Sequence, residues 1–382
     1  MFSQLRRPVV DAFVGLATLA IILSAATSAA QAATAVGHTP VVNGIKMITP
    51  TTGWATTAHA VLHTSDGGMV WTRSLWVHGN SVNGTASLST LGTQWAWVVA
   101  STPQQRAVAV YRTKNGGMSW TKLALVNPSP RMELLNVGAM SFVDATHGWL
   151  LLHGGCGAGS CEQEILQTTN GGSSWARVEW NYIGQASSSP LPACDGATSN
   201  MEFVSQNEGW VTGLCGAATQ AMSVYVSGDE GRTWHQKTFS PPTSAPLTFF
   251  NPGLPSAFTP SGCSVLPVNL SPPTSFQLYS TCNRGASWTP TKHILAHSQQ
   301  FGPNAVYDVL SYYYTWARVQ GKLYRTSSSG VTWQVMSSHP NLGKSPQIDF
   351  VNPNVGFVAQ TMGASNILTT ADGGRTWSSL ST

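Results

Sequence analysis

The chain has 382 residues, 42% of them hydrophobic and only 9% charged, with 37 Gly, 22 Pro and 15 Trp. So many turn-formers beside so few charged helix-formers point to short strands and tight connections, with little helix. Nineteen Lys and Arg against fifteen Asp and Glu leave a formal charge of +4; read as spread along the chain, this balance offers no electrostatic case for nucleic acid.

At the N-terminus, Arg6 and Arg7 precede an apolar stretch from about Ala12 to Ala26, then small residues up to Ala33. This is the pattern of a secretory signal, and Ala30-Gln31-Ala32 supplies the small-x-small cleavage site. Residues 1–32 are therefore expected to be removed. The alternative is an uncleaved anchor, because Val9 to Ala30 nearly reaches spanning length while carrying Asp11. Membrane contact is expected only through such an anchor, and the protein is expected outside the cytoplasm. Six cysteines then favour disulfides. The expected pairing is Cys156 with Cys161, Cys194 with Cys215 and Cys263 with Cys282, since each pair falls within one repeat. Zinc is disfavoured because paired Cys-x-x-Cys knuckles are missing.

From residue 40 to the C-terminus the chain repeats itself. A motif of the form Ser/Thr-x-Asp/Asn-x-Gly-x-x-Trp, with Ser in one third position, recurs seven times, starting at Thr64, Thr113, Thr168, Ser227, Thr281, Thr326 and Thr370. The motifs end at Trp71, Trp120, Trp175, Trp234, Trp288, Trp333 and Trp377, with spacings of 49, 55, 59, 54, 45 and 44 residues. Each interval suits one four-stranded blade, so residues 40–382 are expected to form a single all-β, seven-bladed β-propeller. Segments such as Met140 to Trp149, Met201 to Trp210 and Ile348 to Phe357 add a repeated hydrophobic strand, polar turn and Gly-aromatic pair. The fifth repeat lacks a clear Gly-Trp strand.

The motif has a physical reading that needs no chemistry. Its invariant glycine permits positive φ, its third residue collects turn amides, and its tryptophan locks the turn against the blade. The third residues are Asp66, Asn115, Asn170, Asp229, Asn283, Ser328 and Asp372. Four of the seven carry no charge, which suits a turn and suits neither a hard-cation site nor a row of catalytic acids. No metal or cofactor is expected.

These residues resemble the Asp-box or BNR repeats of sialidases, sortilin-like receptors, xyloglucanases and the photosystem II stability and assembly factor family. The resemblance covers about residues 40 to 380. The Gly-Gly-x-x-Trp endings and the Phe-Val-x-x-x-x-Gly-Trp strand look most like the last group. It implies a seven-bladed scaffold without enzymatic activity. The arginines here, among them Arg73, Arg106, Arg112, Arg131, Arg177, Arg318 and Arg325, are scattered, so that group's arginine patch does not map.

A sialidase would need an arginine triad, a Tyr/Glu pair and an Arg-Ile-Pro element; the last is absent, and no spacing marks Tyr182 and Glu179 as partners. Other glycosidases need two carboxylates about 5 to 10 Å apart. Candidates outside the motifs are Glu133, Asp144, Glu162, Glu164, Glu179, Asp195, Glu202, Glu208, Asp308 and Asp349, with no pair singled out. No Gly-x-Ser-x-Gly elbow occurs. Specificity is expected in two insertions, Asn181 to Asn200 and Ser240 to Pro273, and ligand aromatics at Tyr312, Tyr313 and Tyr314. The expected function is a non-catalytic extracytoplasmic propeller binding a protein or a glycan. The rival is a carbohydrate-active enzyme, a glycoside hydrolase or lyase, with an unassigned carboxylate pair.

Overall fold

The computed structural model describes residues 41–380 except 78–81, 83–86, 103, 105, 131, 133–134, 158–159, 183–190, 192–199, 214–222, 238, 240–248, 272–274, 297–304, 338–341, 343–345 and 361–366. Residues 1–40, which include the expected signal, and Cys194, Cys215, Glu133 and Asp195 thus lie outside the described residues.

Twenty-eight strands form seven four-stranded antiparallel sheets, each built from consecutive strands. These are the blades of a β-propeller. Their first strands are Gly44–Met47, Leu88–Leu91, Asn136–Phe142, Asn200–Phe203, Phe249–Pro252, Val306–Val309 and Pro346–Phe350. Because blade 7 draws no strand from the N-terminus, the ring closes without the covalent overlap of a shared sheet.

Each motif forms the turn between the third and fourth strands. In blade 1, Thr64 Oγ1 donates to Asp66 Oδ1 (2.8 Å), the Gly68 N–H donates to Thr64 Oγ1 (2.9 Å), and the Val70 N–H donates to Asp66 Oδ1 (3.0 Å). Asn115 accepts the Ser119 N–H in the same way, and the Ser328 hydroxyl accepts that of Thr332, both at 3.0 Å. The turn takes up two successive positive-φ residues, the second always glycine. The first is non-glycine in three blades, Glu230, Arg284 and Ser329, at φ 66°, 55° and 56°.

The blades are joined by a repeated aromatic stack. Trp97, Trp149 and Trp316, on the second strands of blades 2, 3 and 6, lie flat on Phe142, Phe203 and Phe350 of the next blade, with centroids 3.9, 3.7 and 3.7 Å apart. Those phenylalanines meet the motif tryptophans Trp175, Trp234 and Trp377 edge-on. The same three second-strand indoles donate to carbonyls in the next blade's motif turn, at Gly171 (3.0 Å), Glu230 (2.8 Å) and Gly373 (2.9 Å). A turn that closes one blade therefore also binds its neighbour. The stacked phenylalanines also lie over Gly148, Gly209 and Gly356, where a Cβ would strike the ring, which explains the glycine before Trp149, Trp210 and Phe357.

Blade 5 departs from the rule. Val265 pairs within the blade where other second strands carry an aromatic. Trp210 of blade 4 donates to Glu208 Oε1 (3.1 Å) and meets Phe258 of blade 5 at a tilt instead of lying flat on a first-strand phenylalanine. A disulfide, Cys263–Cys282, ties the motif turn of this blade to its first turn. Cys156 and Cys161 are register partners across the blade 3 hairpin.

Candidate functional site

The first-strand residue facing Gly53, Ala96, Gly148, Gly209, Thr315 or Gly356 of the second strand is Met47, Thr90, Phe142, Phe203, Val309 or Phe350, in six of the blades. One position earlier stand Lys46, Ser89, Ser141, Glu202, Asp308 and Asp349, a ring around the central axis on strands that pack against one another. At four of these positions the ring side chain accepts a backbone N–H from the next blade. Phe142 donates to Ser89 Oγ (2.9 Å), Phe203 to Ser141 Oγ (3.0 Å), Phe350 to Asp308 Oδ2 (2.7 Å) and Met47 to Asp349 Oδ2 (2.5 Å).

At the junction of blades 7 and 1 the clamp is doubled. Asp349 Oδ1 also takes the Lys46 ammonium at 3.0 Å, with the lysine side chain 51% exposed and the carboxylate 6% exposed. Two residues away, Gln347 accepts the Ile45 N–H (3.1 Å) and donates to the Asn43 carbonyl (2.8 Å). These side chains take the place of a shared strand at the seam.

The ring gathers three carboxylates and one lysine. Burial, reinforced by the neighbouring Asp349 charge, pushes the Asp308 carboxyl up to about 7, against the pull of Lys46. Burial also raises Glu202, again opposed by Lys46. For Lys46 itself burial disfavours the charge, but Asp349 and Asp308 outweigh it and hold the ammonium above the ordinary lysine value. Chemically the cluster is a split carboxylate pair beside a cation, with most of its oxygens already bonded to the fold.

Other acids from the sequence fall elsewhere. Glu164, 1% exposed, accepts from the Ser129 N–H (3.0 Å), Arg177 and the Tyr182 hydroxyl. Tyr182 thus pairs with Glu164 rather than Glu179, in a buried knot that fastens the chain entering blade 3. Asp144 caps its own turn through Thr146 and His147, and those bonds hold it below the usual carboxylate range against a burial effect of opposite sign.

The tyrosines lie on the face that carries the motif turns. First and third strands run toward the same end of a blade, so first turns and motif turns share a face, as in the Gly67 N–H bond to the Thr51 carbonyl (2.8 Å). Tyr312, Tyr313 and Tyr314 occupy such a first turn, and the Ser329 N–H of the motif bonds the Tyr313 carbonyl. Tyr313 is 54% exposed; Tyr314 lies beside Trp316 under Arg325. Fourth strands end and first strands begin on the other, loop face. Of the second insertion, Phe249–Pro252 and Ser264–Ser271 are strands of blade 5, and the first turn between them shares the tyrosines' face: Cys263 is bonded to Cys282, whose Sγ lies 3.8 Å from the Tyr312 hydroxyl.

Lys46, Ser89, Ser141 and Gln347 were not singled out from sequence. The usable signal was the residue just before Phe in Met140-Ser-Phe, Met201-Glu-Phe and Ile348-Asp-Phe. Among the described residues no group of three or more His, Cys, Asp or Glu is arranged to hold a metal ion.

No family model matches the sequence, and no curated protein matches it. Among solved structures the chain is similar to YCF48 from Cyanidioschyzon merolae, at 17% identity over 88% of this chain and 97% of that one, with a TM-score of 0.51. It is similar to the GH74 xyloglucanase from Xanthomonas campestris, at 14% identity over 90% of this chain and 53% of that one, with a TM-score of 0.56. A third is oligogalacturonate lyase from Vibrio parahaemolyticus, at 8% identity over 88% and 90% of the two chains, with a TM-score of 0.53. At these identities the likeness is one of fold: an all-β propeller whose seven blades each hold four antiparallel strands.

Proposed function

We propose that this protein is a non-catalytic extracytoplasmic propeller that holds a protein or glycan partner and acts as a binding or assembly scaffold. The observation carrying this reading is the state of the converging acids: Asp349 is bonded through both oxygens, and Asp308 through one, to groups of the next blade. Carboxylates committed to closing a ring are poorly placed to attack or protonate a substrate. The signal-like N-terminus and the disulfide Cys263–Cys282 support a location outside the cytoplasm.

One observation favours the rival enzyme. Asp308 is raised to about 7 beside Asp349, and a carboxyl group held near neutrality next to a second carboxylate is how a glycosidase keeps its general acid protonated. The two readings separate in a hydrolase and lyase screen of the purified protein against neutral and acidic polysaccharides. We expect no turnover from the wild type. Turnover that disappears in Asp308→Asn, with the fold intact by circular dichroism, would overturn the scaffold.

A further inference from the structure

The small net charge conceals strong segregation. Residues 132–230 hold ten of the fifteen acids with Arg177 as their one cation, whereas residues 231–348 hold eight cations against Asp308 alone. This corrects the expectation of charge spread along the chain, since oppositely charged sectors cancel in the total. Between Asp308 and Asp349 the sequence has Arg318, Lys322, Arg325 and Lys344 and no carboxylate.

Arg318 is where this imbalance meets burial. It lies on the second strand of blade 6, Thr315–Val319, all of whose residues are buried, and is itself 9% exposed. Two positions after the second-strand aromatic, other blades carry the uncharged Thr56, Val99, Leu151, Thr212 and Ala359. Its strand partners, Val306 and Leu323, pack in an apolar cluster with Leu342 and Ile348. The arginine stem thus runs through an apolar layer. Its Nε is buried with no acceptor, and among the described residues its guanidinium has no hydrogen-bond or ion-pair partner. Val319 and the Gln320-Gly321 turn follow directly, so the side chain stands one residue from the loop-face edge, with the exposed Lys322 across the turn.

A buried guanidinium without a counter-ion is costly, and the cost is relieved when an anion completes it. We propose that Arg318 is the receptor for a carboxylate side chain of an acidic peptide segment, entering from the loop face of blade 6. A glutamyl side chain suits the site because its methylenes can lie between the apolar walls while its head reaches the guanidinium. A uronic acid brings its carboxylate on a hydroxyl-covered ring, for which Val306, Leu323 and Ile348 offer no hydrogen bond. The assignment names the partner class for the scaffold proposed above and rests on that reading.

The test is fluorescence anisotropy of a labelled oligoglutamate peptide, titrated with the full-length protein as wild type, Arg318→Gln and Arg318→Lys. Wild-type binding should weaken as salt rises, and Arg318→Gln should bind about tenfold more weakly or worse. Its melting temperature should be unchanged or raised, because an uncompensated buried charge is gone. Equal affinity in wild type and Arg318→Gln overturns the proposal. So does a lowered melting temperature with peptide binding retained, which would make Arg318 structural, and so does Arg318-dependent binding of polygalacturonate in preference to the peptide. Should Arg318→Gln fail to fold, Arg318→Lys decides, since loss of the planar fork must still weaken the peptide. Failure of wild type to bind the peptide, with another ligand bound, removes this assignment and leaves the scaffold; glycan turnover lost in Asp308→Asn removes the scaffold itself.

Discussion

Asp349, in the last blade, accepts the backbone N–H of Met47, in the first, at 2.5 Å, and takes the Lys46 ammonium on its other oxygen at 3.0 Å. Since no strand is shared between these blades, this carboxylate and Gln347 carry the polar part of ring closure. Replacing Asp349 with Ala should destabilise the protein by about 1 to 3 kcal/mol, mainly because the buried Met47 N–H loses its acceptor; the half-exposed Lys46 adds little. Asp349→Asn keeps an acceptor for Met47 and should lose less. Urea unfolding followed by tryptophan fluorescence measures both.

Two titrating groups give opposite pH dependences. Asp308 sits at about 7 instead of the ordinary 3.8, so between those values the folded chain holds a proton the unfolded chain has released. Its contribution is full at acid pH and is lost as pH rises toward 7, with a slope of up to about 1.4 kcal/mol per pH unit. Asp308→Asn should remove that slope and leave the protein more stable than wild type above pH 7. Thermal melts at pH 5 and pH 8 test this; a variant less stable at pH 8 would contradict it.

His153 works the other way. It is 4% exposed with both ring nitrogens unpartnered, and burial pulls it down to about 4. As pH falls from 6.5 to about 4, the unfolded chain takes up a proton that the folded chain refuses, and stability falls by a similar slope. His153→Leu should therefore gain stability at pH 4.5 relative to wild type. The two slopes overlap and oppose each other, so the wild type should vary little with pH while each variant varies more.

In the motif turns the hydroxyl should matter more than the charge. Thr64 Oγ1 both donates to Asp66 and accepts from Gly68, whereas Asp66 uses only Oδ1. Thr64→Val should cost about 1 to 2 kcal/mol, and Asp66→Asn should stay within about 0.5 kcal/mol of wild type. Chemical denaturation of the pair distinguishes a turn from a charge-dependent site.

In blade 5 the disulfide Cys263–Cys282 closes a sequence separation of 19 residues where Val265 interrupts the aromatic series. Cys282→Ser should lower stability by about 3 kcal/mol. Melting with and without reductant should show a larger loss in the wild type than in the variant, the difference being the contribution of this disulfide.

The blade pattern was legible because seven copies put the same residues at the same turn, so Gly68, Trp71 and their counterparts declared the register. Second-strand aromatics such as Trp149 and Trp316 were legible for the same reason. The ring was not: Lys46, Ser89, Ser141, Glu202, Asp308 and Asp349 occupy one place but differ in chemistry, and only closure of the propeller makes them neighbours. Arg318 was one arginine among several until the fold buried it without a counter-ion. Tyr312 to Tyr314 stood out as aromatics, but their face follows from strand direction.

That the converging carboxylates clamp the ring is tested most directly by native-state amide exchange at Met47 in wild type and Asp349→Ala. The Met47 amide should be protected in the wild type and exchange far faster in the variant, while the Phe142 amide, held by Ser89 in another blade, keeps its protection. Unchanged protection of Met47 in the variant would contradict the clamp.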